Sequence, residues 1–488
     1  MTAEPTEPAE QAEQAVPTDP TEPAGVTESS PRALYLAVAD GGTLRRLGDE
    51  IESGDPSGWP GYSGQLRRAR EATGARHAVT TAAATVGGEP CVLIGFEFPF
   101  LGGSMGTAEG AKIVNAFSAA IAERLPVVSV AASGGSRIQE GTSALVQMQA
   151  VAAAIAAARR AGVPHIAVAG DPTTGGVWSS LVASADVIIG VPGARVSFSG
   201  SRTRPAGSAD DAADFLASGK WARGFVDLLV PAAGLRRLVA GLITLLSPRS
   251  RGGSEDRAPL PGVSLPGAPH RAGAGIAAPA VGGWEQVELA RRPDPDRAGR
   301  WLAATLDHRV EIRGDRSGGV DPGLRCGFGR RDGATIAFIA QTGQPTSPAG
   351  FRTAVRLLAL AERFGRPVLT LIDTPGAAAT PGDEASGVGS ALAELFVAMA
   401  SCRVPITSVV VGEGVSGGAL ALASPDDLWI ADGGYLAVTA PELAASILKL
   451  PAGDVPRVAG QLRLTPAELL SRGIVHGILQ PPAARHHG

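Results

Sequence analysis

The stretch VSVAASGGSRIQEG, residues 128–141, runs β-branched and small apolar residues straight into Ser-Gly-Gly. The same tripeptide returns in SVVVGEGVSGGALAL, residues 408–422. An apolar run of this kind, without polar alternation, reads as a strand covered on both faces, as in parallel sheets. Glycines at such a strand end let a ligand approach the backbone where the next helix presents open N–H groups.

Outward from each tripeptide the elements follow one order. PVVSVAAS (126–133) and PVLTLIDT (367–374) read as strands, each followed by a glycine turn and a helical pattern, ALVQMQAVAAAIAAARRAG (144–162) and SALAELFVAMAS (390–401). HIAVAG (165–170) and ITSVVVG (406–412) form second strands, and ADVIIGV (185–191) and DDLWIAD (426–432) third ones. Adding 241 carries Pro126 to Pro367, Gly135 to Gly376, Val163-Pro164 to Val404-Pro405, Gly176 to Gly417, Asp186 to Asp427 and Gly193 to Gly434. One ungapped offset over nearly 70 residues indicates an internal duplication of an α/β unit with parallel strands. Under that offset the two Ser-Gly-Gly copies are not equivalent: Ser133-Gly134-Gly135 maps onto Thr374-Pro375-Gly376, and Ser416-Gly417-Gly418 onto Gly175-Gly176-Val177.

The 488 residues, 44% hydrophobic and 18% charged, suffice for two cores; 65 glycines and 4% aromatics make those cores tight and small-residue rich. With 43 basic against 47 acidic side chains, no field favours nucleic acid or a membrane surface. Residues 1–32, rich in Pro, Glu and Thr, read as a disordered acidic tail, and the Pro/Gly-rich residues 247–283 as a flexible linker between domains 33–246 and 284–488. Cys91, Cys326 and Cys402 form no Cys-x-x-Cys pair, so neither a disulfide framework nor a zinc site is expected. Without a signal-peptide pattern or an apolar run of about 20 residues, a cytoplasmic protein is expected.

Four turns qualify as ligand cradles: Ser133-Gly134-Gly135, Pro172-Thr173-Thr174-Gly175-Gly176, Thr374-Pro375-Gly376 and Ser416-Gly417-Gly418-Ala419. None matches a phosphate-binding P-loop or a dinucleotide fingerprint. Side-chain machinery is missing: no histidine neighbours a nucleophile, no G-x-S-x-G elbow occurs, His165 lies inside an apolar strand, and Ser133 and Ser416 lack a partnered base. What is left is catalysis by backbone N–H donors aimed at an oxygen that gains charge. Arg137 and Glu140, three apart at a helix start, read as a local ion pair that fixes the loop.

The blocks 96–148 (FEFPFLGGSMGTAEGAKIVNAF…) and 162–177 (GVPHIAVAGDPTTGGV) resemble the β subunit of the bacterial acetyl-CoA carboxylase carboxyltransferase family. Blocks 284–316, 351–378 (FRTAVRLLALAERFGRPVLTLIDTPGAA), 409–432 (VVVGEGVSGGALALASPDDLWIAD) and 462–479 resemble its α subunit. The resemblance spans most of 34–204 and 284–482. It implies two tandem crotonase-like domains and transfer of a carboxyl group from carboxybiotin, on a biotin carboxyl carrier protein, to acetyl-CoA or a related acyl-CoA. In the family the biotin ureido anion left by CO2 takes the thioester α-proton, so no side-chain base is needed. By carry-over, Gly134 and Gly135 hold the thioester enolate oxygen and Gly418 and Ala419 the ureido oxygen. Gly175, Gly176, Gly376 and Gly417 then line the substrate sites, and Lys112 and Arg352 meet the CoA phosphates, or else sit on solvated helix faces. A biotin carboxylase partner and a homodimer or larger assembly are implied; no metal and no covalently bound cofactor is expected.

The chain departs from the family pattern in several places. The four-cysteine ribbon of the β subunit has no counterpart, and the helical extension of the α subunit has room only as a remnant. Residues 378–389 (AATPGDEASGVG) lack the family's tyrosine, arginine and glutamine; residues 201–215 replace its Pro-Arg and helix; Ser136 stands where it has alanine. Two alternatives therefore stay open, a malonyl-thioester decarboxylase and a non-catalytic paralogue that scaffolds a carboxylase complex.

Overall fold

The computed structural model describes residues 31–48, 50–56, 58–198, 213–247 and 281–482. The tail and linker read from the sequence lie almost wholly outside the described residues, as do residues 199–212. A helix, Pro31–Val38, takes the last two residues assigned to the tail, and another, Gly283–Ala290, begins on the last residue assigned to the linker.

The first sheet comprises β1 (Arg45–Leu47), β2 (Val79–Val86), β3 (Glu89–Phe96), β4 (Val127–Ser133), β5 (His165–Thr174), β6 (Val187–Gly190), β7 (Val196–Ser197) and β8 (Leu228–Leu229). The second comprises β9 (Asp307–Ile312), β10 (Leu324–Arg331), β11 (Ala334–Gln341), β12 (Val368–Thr374), β13 (Ile406–Val415), β14 (Leu428–Ala431), β15 (Tyr435–Ala437) and β16 (Gly477–Leu479). The order is β1-β2-β3-β4-β5-β6-β8 in one and β9-β10-β11-β12-β13-β14-β16 in the other, with β7 and β15 branching from β5 and β13. All seven residues of β4 and of β12 are buried, as continuous apolar strands between two covered faces require.

The register supports duplication rung by rung. Val127 pairs with His165 and Ser133 with Thr173; adding 241 gives Val368 with Ile406 and Thr374 with Gly414, with the same irregularity one rung before the end. Beyond the parallel strands read from the sequence, each sheet carries an antiparallel edge. β1-β2-β3 and β9-β10-β11 are antiparallel. The β2-β3 and β10-β11 hairpins are set by two-residue turns, Gly87-Gly88 (φ 56° and 80°) and Asp332-Gly333 (φ 49° and 80°), whose paired positive φ values suit a tight hairpin. Those turns are 245 residues apart. The offset falls to 241 because the connection 97–106 is four residues longer than 342–347 and holds a 3-10 turn, Leu101–Gly103.

The largest core joins the halves, packing Val128, Ile166 and Ile189 with Phe351, Leu357 and Val410. A charged seam accompanies it. Asp227 takes Arg316 at 2.6 Å and Arg356 at 3.0 Å, both from the second half, and Arg313 lies 4.0 Å over the Trp221 ring. Burial alone pushes the Asp227 carboxyl up, but the two guanidiniums hold it below its usual range.

His165 is the structural residue its apolar strand implied. Its Nε2 meets Ser129 Oγ at 2.9 Å, its ring packs edge-on to Phe117, and burial pushes it down to about 4 from 6.5. Between those pH values the unfolded chain binds a proton that the native imidazole refuses, so stability falls as pH drops from 6.5 to 4, by at most about 1.4 kcal/mol per pH unit from this group. Imidazole NMR should show His165 neutral at pH 5.5; an imidazolium there contradicts the assignment.

Candidate active site

Each half brings a strand-end turn against the start of a short helix. In the first, Gly135 follows β4 and packs on the turn after β5: a Cβ on Gly135 would lie 3.4 Å from Gly175 Cα and 3.5 Å from Gly176 N. In the second, a Cβ on Gly418 would lie 2.4 Å from Ala377 N and 2.7 Å from the Gly376 carbonyl carbon. At Gly418 only glycine lets the backbones meet, whereas at Gly135 a Cβ would make ordinary contact. Gly135 (φ 107°) and Gly376 (φ 130°) also need the positive φ that glycine accepts freely.

The turns are built alike. Ser133 Oγ accepts the Gly135 N–H at 3.0 Å, and Thr374 Oγ1 accepts the Gly376 N–H at 3.1 Å. Met105 N–H donates to the Gly135 carbonyl and Arg137 N–H to the Met105 carbonyl; 241 residues on, Thr346 N–H donates to the Gly376 carbonyl and Ala378 N–H to the Thr346 carbonyl. In such a parallel bridge the residue between the two bonded ones turns its own N–H and C=O away from the partner strand. Ser136 and Ala377 hold that place and face the helix starts.

This geometry relocates part of the expected donor set. The Gly134 N–H donates to the Gly102 carbonyl at 2.9 Å, in the neighbouring 97–106 connection, and the Gly135 N–H to Ser133, so both are engaged within the protein. Pro375, the counterpart of Gly134, has no N–H at all. The outward donors of the turns are therefore the N–H groups of Ser136 and Ala377. Opposite them, Gly175 (φ 59°) and Ser416 (φ 61°), again 241 apart, swing the chain from strand into the short helices Gly175–Val177 and Ser416–Leu420. Gly176, Gly417, Gly418 and Ala419 lie in the first helical turns, whose N–H groups a helix leaves open.

The two basic residues expected at CoA phosphates both have partners within the protein. Lys112 is fully buried, on the same helical face as Ala108 and Ala116, and its Nζ donates to the Leu47 and Gly48 carbonyls at 3.3 and 2.9 Å. Helical spacing carries it inward, away from solvent. Arg352 is half-exposed but pairs with buried Asp315 at 2.8 Å and donates to the Ser386 carbonyl.

Arg137 and Glu140 do pair, at 3.3 Å, within a larger buried cluster. Arg137 also meets Glu109 at 2.9 Å and Ser104, Ser53 and Tyr62, while Glu140 accepts from Tyr62, Thr107 N–H and Thr107 Oγ1. Burial pushes the Glu109 carboxyl up, yet the Arg137 charge and the hydrogen bonds from Ser53 and Ala78 hold it below its usual range. Asp373, beside the second turn, is engaged by Arg297 at 2.9 Å. Each carboxylate named around the cradles thus has an arginine partner.

Residues 278–488 match the family described as acetyl co-enzyme A carboxylase carboxyltransferase-like, and residues 55–204 the carboxyl transferase domain. The acetyl-coenzyme A carboxylase carboxyl transferase subunits beta/alpha of Salinispora tropica are 38% identical over 478 residues, covering 92% of this chain and 82% of the relative. The chain belongs to this carboxyltransferase family. The same-named protein of Clostridium tetani is 31% identical over 91% of this chain and 78% of its own. Among solved structures, the transcarboxylase 12S hexamer matches with a TM-score of 0.74 at 19% identity, over 94% of this chain and 92% of that one. A single-chain long-chain acyl-CoA carboxylase matches at 0.71 and 20% identity, over 92% of this chain and 44% of that one. These structural likenesses establish the two-domain carboxyltransferase fold. In the terms of that family, the first cradle lies in the β-like half and the second in the α-like half.

Proposed function

We propose that the chain is the carboxyltransferase of a biotin-dependent acyl-CoA carboxylase, acting on acetyl-CoA or a close relative. The observation that carries this reading is the repeated cradle: two backbone donor sites, one per half, whose neighbouring carboxylates Glu109, Glu140 and Asp373 are each held by an arginine. Carboxybiotin on a separate carrier protein loses CO2 as its N–C bond breaks, and the electron pair stays on the ureido group. That anion takes the α-proton of the thioester, and the resulting enolate attacks CO2, giving malonyl-CoA and biotin. The N–H of Ser136, with the first-turn N–H groups after Gly175, holds the enolate oxygen. The N–H of Ala377, with those of Gly417 to Ala419, holds the ureido oxygen. A single fixed donor of this kind is worth roughly 100- to 1,000-fold in rate.

The exposed rim supports a self-assembled enzyme. Ile138 (77% exposed), Phe198 (71%) and Val438 (74%) flank the cradles, with Phe198 and Val438 at matching places after β7 and β15. Apolar side chains so exposed fit burial against a second copy. No described helix is long and apolar enough to cross a membrane, and we place the enzyme in the cytoplasm beside its carrier and biotin carboxylase.

The test combines the purified chain, a carboxybiotinylated carrier and a panel of acyl-CoAs. The expected result is a carboxylated acyl-CoA that depends on the carrier. Absence of that product overturns the reading, and loss of CO2 from malonyl-CoA without any biotin acceptor identifies a decarboxylase instead.

A further inference from the structure

Gln341, the last residue of β11, is fully buried. Its Nε2 donates to the Gly418 carbonyl at 2.9 Å and to Thr346 Oγ1 at 3.0 Å. Thr346 is the residue bonded to both neighbours of Ala377, and Gly418 lies in the helix start that faces it. One side-chain amide therefore ties together the two donor walls of the second cradle.

The orientation of that amide is locked. A backbone carbonyl only accepts, so turning the amide over would set its oxygen against the Gly418 oxygen. Gln341 Oε1 is buried and has no hydrogen-bond partner among the described residues, a cost that a purely packing role would avoid. A methionine of similar length would fill the space without it. The first half has no such group: the residue at this place, 245 positions earlier on the hairpin offset, is Phe96, the last residue of β3. The tie is specific to the second cradle.

We propose that Gln341 is a positioning residue for carboxyl transfer, setting the separation and tilt of the donors that hold the ureido oxygen. In a trans peptide the carbonyl and the following N–H point to opposite sides, so fixing the Gly418 carbonyl also fixes the direction of the Ala419 N–H. The inference rests on the carboxyl-transfer reading above.

The test runs the reaction backward on the full chain, with malonyl-CoA as donor and free biotin as acceptor. Gln341→Met should lower kcat by about 100-fold, the scale of a catalytic group misplaced by an ångström, with the KM for malonyl-CoA and the melting temperature unchanged. Gln341→Glu should fall at least as far, because a carboxylate cannot donate to Gly418. A Gln341→Met enzyme that keeps its kcat overturns the proposal. So does a loss of kcat that comes with a lower melting temperature and a raised malonyl-CoA KM, which marks a merely structural role. If the parent chain itself transfers no carboxyl group, the carboxyl-transfer reading fails before Gln341 is tested.

Discussion

Replacing Gly418 by valine is expected to reduce carboxyl transfer by roughly 100- to 1,000-fold, the range for losing an oxyanion donor. The first atom of any side chain there would stand 2.4 Å from Ala377 N, on the backbone of the opposing wall, which has no flexible tip to swing aside. The cradle must open or the Ala377 N–H must turn. The control is Gly460→Ala, in the helix Val455–Gln461, where an added Cβ meets nothing within 4 Å. That variant should keep full activity and gain slightly in stability from helix propensity. Equal activity of Gly418→Val and the parent would remove the second cradle from the mechanism.

Replacing Arg137 by methionine is expected to destabilise the fold by about 3–5 kcal/mol, because Glu109 and Glu140 would be left buried without their counter-charge. The guanidinium is itself enclosed: burial works against its charge, but Glu109 raises its proton affinity above the ordinary value. Urea unfolding should show a lower midpoint, with the deficit shrinking at acid pH as the stranded carboxylates take up protons. Adding Glu109→Gln should recover part of the loss. A midpoint unchanged in Arg137→Met would mean that the cluster does not hold the first turn in place. The second half has no such clamp, since Ala378 and Gly350 stand where Arg137 and Glu109 do.

Much of this architecture is legible in the sequence because the offset of 241 is set by backbone geometry. Ser133 and Thr374 look unrelated as letters, yet each supplies a hydroxyl to the glycine two residues on. The antiparallel edge is also written in the chain, as Gly-Gly and Asp-Gly between adjacent strands, while the apolar runs beyond carry the signal of parallel pairing. Lys112 shows what residue type alone conceals: a lysine at a helix start looks like a phosphate contact until the i, i+4 spacing with Ala108 and Ala116 places it inward. The donors at Ser136 and Ala377 carry no side-chain signal, since a backbone N–H belongs to every residue but proline. Only the bridge to Met105 and Thr346 shows which way they point. Gln341 is not legible in the sequence for another reason. It lies 77 positions from Gly418, and nothing local marks the pairing.

The most direct measurement is a crystal structure of the full chain with a non-hydrolysable acyl-CoA analogue. The thioester-like carbonyl oxygen should lie about 3 Å from the Ser136 N and from a first-turn nitrogen after Gly175, in the first cradle. The account is contradicted if the ligand instead settles in the groove of about 520 Å³ lined by Arg237, Arg309 and Arg330, or anywhere that keeps the carbonyl away from both cradles.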